Sequence, residues 1–449
     1  MSPKGRPEGE HRSAEREGIV RSPKGRPEGE HRSAAREGIV RSPKGRPEGE
    51  HRSAGERNLA GGASQRIAEL EDALERRCAQ GLARTRRTLA TPQGPRVGVD
   101  GRPLVAFASN DYLGLANDPA VVAAARAAAL EWGVGAGASH LVCGHMTPHA
   151  ALEAELAAFV APCAGARALT FSSGYLANLA LLTALCGRGD VVFADRLNHA
   201  CLNDGALLAR AQLVRCAHGD ADAFAARLAA SPAQRKVIAT DAVFSMDGDI
   251  APLARLLELA ERHDAWLVVD DAHGFGVLGG GRGSLAHCGI ASERIVYMGT
   301  LGKAAGVAGA FVAAHPAVIE TLVQTARPYI YTTAAPPLLA EALRAALAIV
   351  RADDARRDRL HANIARFRAG ARTLPWRVLP SVTAIQPVVV GGSAAAVALS
   401  ARLADRGFLV PAIRPPTVPA NTARLRVSLS AAHTAADVDA LLAALADCA

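Results

Sequence analysis

From Ala166 onward the chain repeats one arrangement: a short apolar run ends on a polar or small residue and is followed by a helical segment. The runs are "ARALTF", "DVVFAD", "QLVRCA", "KVIATD", "AWLVVD", "RIVYMG" and "GAFVAA"; the segments between them include "YLANLALLTALC" and "LARLLELAERH". Strands apolar on both faces must be covered on both sides, and their alternation with helices is the signature of parallel strands joined by crossover helices. The chain therefore reads as α/β, with a large, mainly parallel sheet domain and helices on both faces. In open sheets of this kind ligands sit off the carboxyl ends of the strands. The residues standing there are Ser172 to Gly174, Asp195 to His199, Asp241 to Ser245, Asp270 to His273, and Thr300 to Lys303.

A long helix from Pro336, "PPLLAEALRAALAIVRADD", leads into a second helix near Arg356 to Ala369 and the strand "VTAIQPVVVG". The helix "SAAAVALSARLADRG", strands at "FLVPAI" and "ARLRVSLS", and a last helix capped by Thr434 with Asp437 three residues on complete a smaller α+β domain. Upstream, Gln65 to Arg87 is amphipathic and helical, and an extended stretch with turn signals "TPQGP" and "DGRP" follows. The expected organisation is a tail over 1–57, an N-terminal helix and extended segment over 58–108, a large cofactor-binding domain over 109–350, and a small C-terminal domain over 351–449.

The tail is a repeat: "SPKGRPEGEHRSAEREGIVR" at Ser2, a near copy at Ser22 and a partial copy at Ser42. It holds +4 of the formal charge of +8, with signs alternating inside each copy, and too few large apolar residues to offset chain entropy. We read it as a disordered tail. A nucleic-acid-binding protein acting through this tail is the alternative from a different functional class, and no nucleic acid is expected at the main domain. No apolar run approaches the roughly 18 residues that span a bilayer, and no signal-peptide core is present, so the expectation is a cytoplasmic protein without a membrane partner. Eight cysteines lie scattered with no CxxC pair, which reads as reduced thiols and no metal site.

Lysine is scarce. Lys4, Lys24 and Lys44 lie in the repeat, and only Lys236 and Lys303 follow. "MGTLGKAAGVAG" is not a P-loop, because Tyr297 stands where the first glycine belongs and Ala304 where Ser or Thr belongs. "WGVGAGASH" follows a helical run instead of a strand, so it is not a dinucleotide loop either. Where arginine is the general cation, a lysine at a strand end among small apolar residues suggests an amine that must shed its proton, as a Schiff-base lysine does. Asp270 after "WLVV" could face a pyridine nitrogen, and "FSSGYLAN" offers a helix start suited to phosphate.

With the motifs "SNDYLGL", "FSSGYLAN", "DRLNHACL", "VFSMDGDIAPL", "VVDDAHGFGVLG", "GTLGKAAGVAGA" and "AIRPPTVPANTARLRVSLSAAHT" in order, the chain from about Ile67 resembles the α-oxoamine synthases. These are fold-type I transferases dependent on pyridoxal phosphate (PLP) that join an amino acid to an acyl thioester with loss of carbon dioxide. The resemblance implies that Lys303 carries the cofactor, that Asp270 pairs with its ring nitrogen and that His199 stacks on the ring. It places His273 and Ser245 near the ring hydroxyl, and Gly174, Tyr175 and Thr300 around the cofactor, chiefly its phosphate. Arg84 and Thr417 match substrate-contacting positions, and Arg414 is the candidate for the amino-acid carboxylate. A homodimer is implied, with Thr332 and Thr333 reaching the partner's phosphate. "AIRPPTVP" and "RLNHA" most resemble the member that uses L-alanine and a pimeloyl thioester, carried by coenzyme A or by acyl carrier protein; sister members use glycine with acetyl-CoA or succinyl-CoA. Asp241-Ala242 and Ala305 depart from the pattern, where Glu-Gly and a bulky residue are usual.

Overall fold

The computed structural model describes residues 59–449, with side chains from Ser64, so the repeat and the reading of it as disordered lie outside the described residues. Leu70–Ala449 form one compact unit, to which the following refers; of the unit before it only the first part of a helix, Leu59–Ala79, is described. That helix stops well short of Arg87. Gly81 takes a left-handed φ of +65°, its N–H donates to the Cys78 carbonyl and the Leu82 N–H donates back to Arg77, the closing pattern of a glycine-terminated helix. Arg84, Arg86 and Arg87 consequently stand on an exposed stretch without helical structure.

An antiparallel hairpin comes next, β1 (Arg96–Val99) and β2 (Arg102–Ala106). The central sheet then follows the expected runs closely: β3 (Arg167–Phe171), β4 (Val191–Asp195), β5 (Gln212–Cys216), β6 (Lys236–Asp241), β7 (Ala265–Asp270), β8 (Ile295–Thr300) and β9 (Ala310–Ala314). Their order is β3-β9-β8-β7-β6-β4-β5. Side chains alternate between two apolar layers: Phe193, Ile238, Leu267, Val269 and Tyr297 pack on one face, and Val192, Val237, Val268, Val296 and Met298 on the other. Burial on both sides is why these runs are continuously apolar instead of alternating.

One run departs from the parallel reading. β9 pairs antiparallel with both β8 and β3. Only residues 301–309 separate it from β8, and they fold back on themselves through Leu301 N–H to Gly309 O at 2.9 Å and Val307 N–H to Leu301 O at 3.1 Å. A parallel connection needs a crossover of a dozen or more residues, so this short link forces the chain to reverse.

The C-terminal strands are β10 (Arg377–Val378), β11 (Ile385–Gly391), β12 (Phe408–Leu409), β13 (Ala412–Ile413) and β14 (Ala423–Ser428). β10-β11-β14-β13 make an antiparallel sheet, whereas β12 lies parallel on β2. The single expected strand "FLVPAI" is thus two strands in two sheets. Pro411, without an N–H, stands at the break, and its carbonyl accepts from Arg426 N–H. One buried cluster joins Phe107, Tyr112 and Leu115 to Phe367, Val388, Leu399, Val427 and Leu441, so the extended N-terminal segment is packed into the C-terminal layer. Thr434 caps the last helix, Ala435–Asp447, in a reciprocal box with Asp437.

Candidate active site

Lys303 sits in the 301–309 link at the carboxyl edge of the central sheet. The link is bends and turns, so Thr300 is the last residue of β8 and not a helical turn before the lysine. Gly306 shapes it: φ is +73°, and a Cβ there would lie 2.5 Å from Ala116 N and from the Leu115 carbonyl carbon. Backbone can approach backbone this closely only at glycine.

Lys303 Nζ lies 3.0 Å from His273 Nε2, and His273 Nδ1 lies 2.6 Å from the Tyr112 hydroxyl. Tyr112 donates to Asn110 Oδ1 and receives Arg426 Nη2 at 3.3 Å. His273 donating from Nδ1 and accepting at Nε2 satisfies this chain. Burial, then the neighbouring charge of Lys303, holds His273 well below the usual histidine range, so the ring is neutral. Burial also lowers Lys303, against the opposing pull of Asp270 and Asp241. This is the amine activation read from its small apolar neighbours.

Asp270 and Asp241 end adjacent strands in direct register. Asp270 Oδ2 accepts from Asn178 Nδ2 at 2.7 Å, and Oδ1 accepts from Ala272 N–H at 3.0 Å. Both Asp241 oxygens accept the His199 N–H, at 3.1 and 3.2 Å. Burial, reinforced by the charge of Asp270, pushes the Asp241 carboxyl well above the usual carboxylate range. Neighbouring carboxylates disfavour each other's charged form, so Asp241 is the one whose burial makes its proton harder to lose.

His199 caps the helix Ala200–Leu208, with its ring exposed and edge-on to Tyr175 at 6.4 Å between centroids. Tyr175 donates to Asp204 and follows Gly174 at the start of the helix Gly174–Leu185, whose cap Ser173 accepts from Leu176 N–H. First-turn N–H groups have no acceptor inside a helix, so those of Gly174 and Tyr175 are available to an anion. Thr300 Oγ1 donates to Gly309 O at 3.2 Å. Ser245 lies on the loop between β6 and the helix Leu253–Arg262, and its carbonyl accepts Arg426 Nε at 2.6 Å. That loop is clamped: a Cβ on Gly248 would lie 2.5 Å from Ile385 O, Ser381 and Thr383 donate to the Gly248 carbonyl, and Arg424 pairs with Asp247 at 2.5 Å.

The remaining candidates lie apart from this cluster. Arg414 donates to the carbonyls of Gly81 and Ala83, which spends its guanidinium on main chain next to Arg84. Arg84 and Thr417 are exposed. Thr333 bridges Ser139, and Thr332 precedes it. Ala305 is fully buried in the core beside Phe275 and Leu301.

Sequence reasoning passed over Tyr112, Asn178 and Arg426. Arg426 is the informative omission: 5% exposed, its guanidinium hydrogen-bonds to Asn110, Tyr112, Ser245 and Ser428, and among the described residues no carboxylate is within ion-pair reach. A buried cation with neutral neighbours is a cost that a bound anion would offset. Its signal was legible, since "ARLRVSLS" places two arginines inside an otherwise apolar strand.

The donor set fits PLP: a desolvated lysine amine, a buried carboxylate held by an amide, and a helix start with free N–H groups beside a threonine. The imidazoles of His140, His145 and His149 also cluster, with ligand atoms within 4.8 Å of one another. His149 nevertheless has both ring nitrogens in use, accepting from Met146 N–H at 3.0 Å and facing the Ala335 carbonyl at 2.8 Å. His140 Nδ1 and His145 Nδ1 lie 2.9 Å apart and hydrogen-bond to each other, so none of the three rings is without a partner. Among the described residues no helix is long and apolar enough to cross a membrane.

The chain is similar to known proteins along most of its length. Residues 102–445 match the family model for class I and II aminotransferases. The chain is 61% identical over 365 residues to the 8-amino-7-oxononanoate synthase of Aromatoleum aromaticum, covering 81% of this chain and 94% of that one. Among solved structures, serine palmitoyltransferase of S. paucimobilis with a bound PLP–myriocin aldimine superposes with a TM-score of 0.79 at 29% identity, covering 87% of this chain and 98% of that one. The 8-amino-7-oxononanoate synthase of Francisella tularensis gives a TM-score of 0.67 at 30% identity, over 77% of this chain and 97% of that one.

Proposed function

The chain belongs to the 8-amino-7-oxononanoate synthases within the class I and II aminotransferase family and is a PLP-dependent fold-type I transferase; from that premise we propose that it condenses L-alanine with a pimeloyl thioester. The products are 8-amino-7-oxononanoate, carbon dioxide and the free thiol carrier, a step of biotin synthesis in the cytoplasm. The observation that carries the proposal is the pairing of a desolvated amine, Lys303 Nζ, with an unpaired buried cation, Arg426, across the Tyr112–His273 bridge.

PLP, when bound, supplies an aldehyde for the amino group and a ring that accepts electrons from the α-carbon. Asp270, at the end of β7, would face the ring nitrogen and hold its proton there. Neutral His273 accepts at Nε2 and aims Lys303 Nζ, which takes up the α-proton of the amino acid and later returns it. Arg426 binds the amino-acid carboxylate; Arg414, committed to main chain, becomes a brace for the segment next to Arg84. His199 would cover the ring and donate toward the thioester carbonyl. Gly174, Tyr175 and Thr300 would hold the phosphate, and Ser245 would stand near the ring hydroxyl.

A homodimer would let Thr332 and Thr333 reach the partner's phosphate. The exposed apolar residues Val134, Leu141 and Val142, on the segment bridged to Thr333, and Tyr331 beside it support that arrangement. The test is turnover of amino-acid and acyl-thioester pairs by purified protein, with products identified by mass spectrometry. Alanine with pimeloyl-CoA or pimeloyl carrier protein is expected to give the amino-oxo acid. Preference for glycine with acetyl-CoA or succinyl-CoA would reassign it to a sister activity.

A further inference from the structure

His199 presents one ring nitrogen, Nδ1, to its own helix. Two groups converge on it: the Cys201 N–H at 3.4 Å and Cys201 Sγ at 2.8 Å. The backbone N–H can only donate. The thiol is 1% exposed and receives Asn178 Nδ2 at 3.1 Å on its sulfur, which leaves its hydrogen for the imidazole. The other hydrogen of the same amide goes to Asp270 Oδ2 at 2.7 Å. A single chain of hydrogen bonds therefore runs from the Asp270 carboxylate through Asn178 and Cys201 to His199. Burial, then the charge of Asp270, pushes the Cys201 thiol up to about 12, so it keeps its hydrogen throughout the neutral range.

We propose that Cys201 is a positioning residue that fixes His199 in the tautomer carrying its hydrogen on Nε2. With the Nδ1 lone pair occupied by two donors, a neutral imidazole has to hold its proton on the far nitrogen. Nε2 has no hydrogen-bond partner among the described residues and His199 is exposed, so the arrangement presents a fixed N–H donor to whatever occupies the site. An acyl carbonyl is the acceptor it suits. Without the thiol only the longer contact from the backbone N–H at 3.4 Å holds Nδ1, so the ring could bond through either nitrogen, and part of the population would offer a lone pair where the reaction needs a hydrogen. The use of this donor rests on the proposed condensation; the tautomer itself does not.

The experiment is long-range proton–nitrogen correlation on full-length, PLP-loaded protein labelled with 15N-histidine, without substrate. The His199 signals are those missing from His199→Gln. Wild type is expected to show Nε2 protonated and Nδ1 bare, Cys201→Ser the same, and Cys201→Ala a mixture of tautomers. In turnover, Cys201→Ala is expected to lose about tenfold in kcat with little change in the KM for the amino acid, and Cys201→Ser to restore most of it. A proton on Nδ1 in wild type overturns the proposal without any variant having to fold. An unmixed tautomer in Cys201→Ala overturns it too. If alanine and pimeloyl thioester give no product while the tautomer is as stated, the condensation reading fails and this one stands; product formed with a proton on Nδ1 is the reverse.

Discussion

His218 offers a quantitative test of how the site loop is braced. Its Nδ1 lies 3.0 Å from Asp195 at the end of β4, and its Nε2 lies 2.9 Å from Asp249 in the loop that carries Ser245. The hydrogen bond to Asp195, then that to Asp249, raises its pKa to about 10 from 6.5. A raised histidine stabilises the fold fully below its unfolded value and loses that contribution as pH climbs through its folded value. The window is therefore pH 6.5 to about 10. Each unit of pH within it is worth about 1.4 kcal/mol, and water at the 20% exposed ring reduces the total, which we put at roughly 2–4 kcal/mol. Urea unfolding of wild type and His218→Gln would be followed across that range. At low pH the wild type should be more stable by most of this amount, and the gap should close steadily toward pH 10. A gap of the same size at both ends would refute the reasoning, because packing of the ring on Phe244 does not depend on its charge.

Gly306→Ala forces a side chain onto backbone at positive φ, so we expect a loss of about 2 kcal/mol or more and weaker retention of the visible cofactor band; unchanged melting and colour would show that the Lys303 link is not constrained there. Arg426→Gln removes the unpaired cation. The KM for the amino acid should rise roughly 10- to 100-fold, as expected for a lost charge-assisted carboxylate contact, and an unaltered KM would take Arg426 out of substrate binding. Thr434→Ala removes both bonds of the cap hydroxyl, to Asp437 Oδ2 at 2.8 Å and from the Asp437 N–H at 3.1 Å, and should cost about 1 kcal/mol in unfolding while turnover holds. A silent substitution in urea would mean that the last helix needs no cap.

Much of the site was readable because its chemistry is carried by residues that end apolar runs. Asp270 and Thr300 each close a strand whose interior could hardly be anything else, and Lys303 stands out by the scarcity of lysine. Arg426 and Tyr112 were harder to find. They come from β14 and from the segment before the central sheet, and only the packing of the C-terminal layer against that segment brings them to His273. Arg414 shows the opposite failure: its motif suggested a carboxylate ligand, but in three dimensions its donors meet the carbonyls of Gly81 and Ala83.

The sequence alone determined the layered α/β plan and which polar residues stand at the strand ends, Lys303 and Asp270 among the candidates, because hydrophobic periodicity and residue chemistry are local properties. Tertiary structure decided what depends on distance between remote segments. It reversed β9 through a link too short to cross over and split "FLVPAI" between two sheets. It set Asp241 against Asp270 in register at the ends of neighbouring strands, and it placed a buried thiol against the ring of His199.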